Sequence, residues 1–306
     1  MIKFLVTGAN GDIAEGVSRI LKKYFLNSLI HGTDALGKWP GKFYFSKVYK
    51  SPHADSKLYL KFLKKKCKKY DLIIPTTEQE IFTISKSNIP KNKILINSKK
   101  ITDIFLDKLE SCNFLNEKNF HQFNCDTLKK FKPNIFPIYA KPRKGAGGQN
   151  HFLINNKKLL KLYKKDLNSD WILQDYLDSK EEFTCVICKF GKYKDQIIMR
   201  RILKNGITRY FETSNNQQIK NVLKKLNDEL DYEGSINIQL KLHNNLPKIF
   251  EINPRISSTV LMRDEIGFKD LLMWINYKLK KNINIKKFKF KKMKVYRLQN
   301  DKIIKI

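Results

Sequence analysis

The sequence predicts a mixed protein, a parallel α/β lobe at the N-terminus followed by α+β lobes, in a chain of 306 residues. Three observations carry this expectation. The chain opens with an apolar strand from Ile2 to Thr7, the turn GANGDIAEG, and a helical periodicity through Val17, Ile20 and Leu21. A short strand later delivers a basic, glycine-rich turn, IYAKPRKGAGGQN, over residues 138–150. Near the C-terminus, apolar runs at 235–242 and 248–252 flank five residues that include Pro247, the pattern of an antiparallel hairpin. A chain of this length can form two or three lobes with a substantial core.

In the first segment, Gly8 and Gly11 permit a tight turn, and the helix start that follows favours an anion. A second strand from Ser28 to Gly32 ends at Asp34, so the spacing is Rossmann-like. With Ala14 the turn reads G-x-x-G-x-x-A, which keeps an NAD(P)-dependent sugar-nucleotide enzyme open as an alternative. The run DLIIPTTEQE, Asp71 to Glu80, reads as a parallel strand with Thr76, Thr77 and Glu78 at its carboxyl end, where open α/β sheets bind ligands. Around residue 100 the pattern turns helical, with Asp107-Lys108 inside DIFLDKLESCNFLNEKNF.

In the glycine-rich turn, Lys141 leaves a strand and Arg143, Lys144, Gly145, Gly147 and Gly148 follow. Backbone N–H groups of such a turn can close around phosphate oxygens, with Lys141 as a point charge. A strand WILQDYL follows at 171–177, then a strand pair about Asn205-Gly206. That pair concentrates three of the eight arginines, Arg200, Arg201 and Arg209, within ten residues. Planar guanidinium groups suit carboxylate or phosphate, so at least one should face substrate. The helix 217–230 leads into the hairpin. If Leu242 faces Lys248 there, Gln239 lies opposite Glu251, and Glu251, Asn253 and Arg255 share its face. Oxygens of Gln, Glu and Asn suit a hard cation such as Mg²⁺, and Arg255 would meet phosphate.

The net charge of +32 comes mostly from lysines spread along the chain. Without an arginine-rich tract or zinc-finger spacing, this reads as a solvated surface and argues against nucleic acid. Five cysteines, Cys67, Cys112, Cys125, Cys185 and Cys188, form no disulfide framework and fit a reducing cytoplasm. Cys185 and Cys188 form a C-x-x-C inside a strand, where they point to opposite faces. No apolar run reaches the roughly 18 residues of a membrane span, so a soluble protein is expected.

The strand Asn237-Ile238-Gln239 with Glu251-Ile252-Asn253-Pro254-Arg255 resembles the metal and phosphate end of the ATP-grasp ligases. The pattern is closest to one unit of the carbamoyl phosphate synthetase large subunit. The turn at 141–148 is similar to that family's K-P-x-x-G-x-G-G loop, and 71–78 to its D-x-I-I-P-T-x-E segment. The resemblance implies α/β and α+β architecture: a Rossmann-like lobe (1–100), a small ATP-grasp lobe (101–173), a C-terminal lobe with the metal hairpin (174–280), and a tail or small cap (281–306). It implies that Lys108, Lys141, Arg143, Gly145, Gly147 and Gly148 hold the phosphates of ATP. Gln174, Asp175, Tyr176 and Leu177 would meet adenine, and Glu182 the ribose. Gln239, Glu251 and Asn253 would hold one or two Mg²⁺, or Mn²⁺.

Arg255 and Lys141 would be catalytic, with Arg200, Arg201, Arg209, Ser257, Ser258, Thr76 and Glu78 on the substrate side. The reaction implied is attack of a small-molecule carboxylate on ATP, giving an acyl phosphate that an amine displaces. A homodimer is compatible with this. The large subunit of carbamoyl phosphate synthetase carries two such units, so a single unit points to a carboxylate–amine ligase instead. A non-catalytic ATP- or nucleic-acid-binding protein is the other alternative.

Overall fold

The computed structural model describes residues 1–120, 123–145, 151–168, 170–179, 181–204, 206–282 and 285–298. The chain begins with β1 (Ile2–Thr7), α1 (Asp12–Tyr24), β2 (Ser28–Asp34), β3 (Lys47–Lys50), α2 (Lys57–Cys67), β4 (Leu72–Ile74) and α3 (Glu78–Ser85). The strands form a parallel sheet in the order β3-β2-β1-β4. Both faces are covered, as parallel sheets require. Phe4 and Val6 pack with Val17 and Ile20 of α1, whereas Leu5 and Ile73 pack with Tyr59, Leu63 and Ile84. The strand expected through Glu80 stops at Ile74, because the Thr77 hydroxyl accepts from the Glu80 N–H and caps α3.

Two helices follow, α4 (Lys99–Phe105) and α5 (Lys108–Glu117), where the sequence suggests one. Asp107 divides them: its carboxylate accepts from the N–H groups of Leu109 and Glu110 and so starts α5 afresh. A small antiparallel sheet comes next, from β5 (Cys125–Thr127), β6 (Ile138–Pro142), β7 (Phe152–Ile154), α6 (Lys157–Asp166) and β8 (Trp171–Asp175). Its strand order is β5-β8-β6-β7, and Leu160 of α6 seals Ile138, Ala140 and Leu173 beneath it.

The largest sheet is built from β9 (Glu182–Phe190), β10 (Tyr193–Lys204), β11 (Ile207–Thr213), α7 (Gln217–Glu229), β12 (Gly234–His243), β13 (Leu246–Asn253), α8 (Val260–Glu265), α9 (Asp270–Lys278) and β14 (Lys294–Tyr296). Its order is β13-β12-β9-β10-β11-β14, so part of the C-terminal tail returns as an edge strand on β11. One face packs on Ile219, Leu223 and Leu226 of α7 and on Ile101 and Phe105 of α4. The other carries Val186, Cys188, Met199 and Phe211 into the same core as α9 and the N-terminal lobe. Cys185 and Cys188 fall on opposite faces, as strand alternation requires. Among the described residues no helix is long and apolar enough to cross a membrane.

Candidate active site

The hairpin of β12 and β13 reaches the expected pairing by an unexpected route. Its turn has two residues, Asn244 and Asn245, with φ of 49° and 61°, and His243 faces Leu246. Positive φ at both positions is the signature of a type I′ turn, and asparagine tolerates it better than most residues. Pro247 therefore lies in β13 rather than in the loop, which is acceptable because β13 is an edge strand. Leu242 faces Pro247, not Lys248, and Leu240 faces Ile249. A β-bulge then absorbs Phe250 as an extra residue, and Gln239 comes to face Glu251 after all.

The bulge has three consequences. Ile249 and Ile252 both turn into the core under α7. Glu251 and Asn253 line the open face of the sheet with Gln239. The Phe250 ring packs toward the small sheet, against the cluster of Leu109, Cys112, Phe123, Cys125, Ile172 and Leu177.

That open face is one wall of a cleft of about 790 Å³, in the size range of small-molecule sites. The small sheet forms the opposite wall, and Lys141 and Lys108 reach in from that side. Lys141 donates to the Phe250 carbonyl at 3.4 Å and, among the described residues, makes no ion pair. Burial pushes its pKa down, and the nearby Cys125 and Glu251 offset this in part. Lys108 opens α5 and donates to the Gly145 carbonyl at 2.7 Å. Behind Lys141, a cavity of about 20 Å³ between Cys112, Cys125 and Gln174 has room for about one water.

The oxygen donors on the sheet fit a hard cation. Asn253 gives its amide N–H to Glu251 at 3.2 Å, which leaves its own oxygen free. Glu251 keeps a second carboxylate oxygen, and the Gln239 oxygen faces the same cleft. With one carboxylate among three ligands, the set needs phosphate and water to complete a shell, which is how Mg²⁺ is commonly held. Clusters of three or more His, Cys, Asp or Glu suited to a metal do not occur among the described residues.

Gln174, Asp175, Tyr176 and Leu177, at and just beyond the end of β8, also line the cleft, with Gln174 sharing the small cavity behind Lys141. The Asp175 N–H is already bonded to the Asn124 carbonyl, at 2.9 Å. The Leu177 carbonyl accepts from Lys241 at 3.2 Å. Glu182 lines the cleft with one oxygen held by Arg201 at 2.5 and 2.9 Å. Tyr139 stacks between His151 and Tyr176, with centroids at 5.3 and 6.3 Å. Burial raises the Tyr139 pKa, helped by Tyr176 and Glu182.

Several expected site residues are occupied elsewhere. Arg143 does not line the cleft: it clamps Asp107 at 2.7 and 2.8 Å and Glu110 at 3.0 Å, tying the turn to α5. Thr76 is buried and donates to the Thr7 carbonyl at 2.7 Å, under the Gly8 turn. Arg200 and Arg201 are strand neighbours, so only Arg201 faces the cleft; Arg200 points outward to Glu212 at 2.9 Å. Arg209 occupies a bulge in β11 away from the cleft lining. Gly147 and Gly148 lie outside the described residues.

Ser257 and Ser258 do line the cleft, with the Ser257 hydroxyl held by the fully buried Arg263 at 2.9 Å. Arg255 also lines it and is paired with Glu78 of the N-terminal lobe at 2.6 Å. The Asp34 carboxylate, which a dinucleotide would need, instead accepts from the backbone of Asn10 and Leu36 at 3.0 and 2.8 Å. Asn10 in turn holds Gly41 at 2.9 Å, so the segment after β2 covers the glycine turn.

The sequence reading missed Tyr139 and Lys241, although each stands two residues from a residue it singled out, on the same strand face. It also missed Asp12, which lines the cleft from the first turn of α1, and Arg297, which pairs with Asp12 at 2.8 Å and donates to the Ser258 carbonyl. Nothing in the tail signals Arg297.

Residues 168–299 match a family model described as ATP-grasp in the biosynthetic pathway with Ter operon. Two curated relatives are an uncharacterized protein, MG011, of Mycoplasma genitalium and its homolog in Mycoplasma pneumoniae. They are 29% and 31% identical over 30% and 42% of this chain. The matches span 32% and 44% of those relatives' own length. Among solved structures, N5-carboxyaminoimidazole synthetase from Staphylococcus aureus, complexed with ADP, superposes with a TM-score of 0.73 at 16% identity, covering 93% of this chain and 79% of that one. L-amino acid ligase from Bacillus licheniformis superposes with a TM-score of 0.68 at 13% identity, covering 92% and 74%.

Proposed function

We propose, on the premise that this chain is an ATP-grasp protein, that it is an ATP-dependent ligase joining a small-molecule carboxylate to an amine. The observation that carries the reading is the cleft itself: Gln239, Glu251 and Asn253 present oxygens from one wall, and Lys141 and Lys108 present cations from the other. That is the charge pattern of a site for a nucleotide's polyphosphate with a hard cation. Tyr139 and Tyr176 offer ring faces, beside the edge of Gln174 to Leu177, against which a planar base would stack.

In this reading Lys141 and Lys108 bind the phosphates, and Gln239, Glu251 and Asn253 would hold one or two Mg²⁺. The cation, when bound, neutralises phosphate charge and helps align the transferring group. The acceptor carboxylate attacks the γ-phosphorus: its oxygen forms the new O–P bond, the bond to the β-phosphate oxygen breaks, and ADP leaves. An amine then attacks the carbonyl carbon of the acyl phosphate. The C–O bond breaks, phosphate leaves, and the nitrogen releases a proton. Arg255 stabilises the transferring group once it lets go of Glu78. The chain supplies position and charge, the main protein contribution in phosphoryl transfer.

The acceptor end lies where Arg255, Ser257, Ser258 and Asp12 meet. A reducing cytoplasm accords with five free thiols. The test is ADP release by purified protein with MgATP under three conditions: no acceptor, pooled carboxylates, and pooled carboxylates with pooled amines. ADP should appear only with carboxylates, and Glu251→Gln should lower it sharply. ADP release indifferent to carboxylate would remove the ligase reading.

A further inference from the structure

Arg201 holds two parts of the cleft at once. Its Nε and Nη2 donate to Glu182 Oε1 at 2.9 and 2.5 Å, and the same Nη2 donates to Gln239 Oε1 at 2.8 Å. Its side chain is only 8% exposed, so this geometry is held rather than sampled on a free surface. On the far side of Glu182, Lys241 stands 3.9 Å from Oε2 and donates to the Leu177 carbonyl at 3.2 Å. One polar chain therefore runs along the sheet from Leu177 through Lys241, Glu182 and Arg201 to Gln239. Register explains it: Lys241 lies directly opposite Glu182 across β12 and β9, and Arg201 follows on β10 with its side chain on that face.

Resting on the nucleotide reading above, we propose that Arg201 is a positioning residue that couples nucleotide to metal. A single guanidinium sets both the carboxylate that would receive the ribose and the amide oxygen that would hold the cation. An amide oxygen has two lone pairs, so the one left by Arg201 remains for the cation, and the guanidinium decides which end of the Gln239 amide faces it. Loss of a group that orients a ligand in this way typically costs about 10- to 100-fold in metal affinity. A lysine cannot replace it, because an ammonium on a shorter, flexible stem does not hold two acceptors in one plane.

The experiment is ADP binding by calorimetry across a Mg²⁺ series, on the full chain, for wild type, Arg201→Met, Glu182→Gln and the double variant. Arg201→Met should raise the Mg²⁺ concentration for half-maximal effect by about 10- to 100-fold. Glu182→Gln, although it removes no metal ligand, should raise it in the same direction. The double variant should go no further than Arg201→Met, since effects transmitted through one residue do not add.

If Arg201→Met does not fold, Arg201→Lys keeps a cation beside Glu182 and should show the same Mg²⁺ shift. A Mg²⁺ midpoint unmoved by Glu182→Gln, or effects that add, would overturn the coupling while leaving the nucleotide reading intact. Wild-type protein that binds no ADP, with or without Mg²⁺, would overturn both.

Discussion

Lys141→Met should make the protein more stable and a poorer nucleotide binder at the same time. The wild-type ammonium is lodged between the two walls with one neutral partner, the Phe250 carbonyl at 3.4 Å, and burial disfavours its charge. Methionine keeps much of the apolar stem and removes the penalised charge. Relief of such a site is worth about 1 kcal/mol, or a rise of about 1.5 °C in melting temperature for a chain of 306 residues. Against a phosphate oxygen, by contrast, the lost charge counts heavily. Two unit charges 4 Å apart at an effective dielectric of about 20 interact by about 4 kcal/mol, an upper bound. ADP affinity should therefore fall by about 10-fold to several hundred-fold.

The pH dependence follows from the same cause. The folded pKa lies below the ordinary lysine value, so the unfolded chain binds the extra proton between the two. Wild-type stability should rise with pH from the lowered value up to the ordinary one, and the variant should lack that rise. Calorimetric ADP titrations and thermal melts check both halves. A variant that is less stable than wild type yet binds ADP equally well would refute the reasoning, since Lys141 would then be a packing residue.

Arg263→Met should cost about 3–5 kcal/mol in denaturant unfolding, because it strands Asp270, itself buried and bonded by Arg263 at 2.8 Å through both oxygens. Arg143→Met should cost about 1 kcal/mol for a partly exposed pair with Asp107 and shift ADP affinity far less than Lys141→Met. Glu80 is buried beneath the N-terminal sheet, and burial raises its pKa against the hydroxyl donors Thr7, Thr77 and Tyr59. Its contribution to stability is full below the unfolded glutamate value and is lost as pH rises through the higher folded value. Glu80→Gln should flatten that part of the melting profile.

Strand alternation made it legible that Glu251 and Asn253 share a face, whereas the facing of Gln239 and Glu251 rests on a Leu242–Lys248 pairing that does not occur and holds only because two one-residue offsets cancel. Pro247 draws the eye to a long loop, yet the turn is Asn244-Asn245, and the Phe250 bulge cancels the resulting offset. A bulge leaves no mark in an apolar pattern until the partner strand is known. Arg143 shows a different limit: a basic residue in a glycine-rich turn suggests phosphate, but its carboxylate partner, Asp107, is 36 residues away and adjacent only in space. Thr76 and Arg200 failed for local reasons, burial under Gly8 and the outward phase of β10. Lys241 and Tyr139 could have been read by counting two along strands already in hand. Arg297 acts from the tail through contacts that no local signal announces.

The most direct measurement uses an acceptor carboxylate labelled with oxygen-18, found by splitting the pools, and follows the label by mass spectrometry of the released phosphate. If the carboxylate attacks the γ-phosphorus and the amine later displaces phosphate, one labelled oxygen passes from acceptor to phosphate in every turnover. Phosphate that carries no label while ADP and product accumulate would contradict the account.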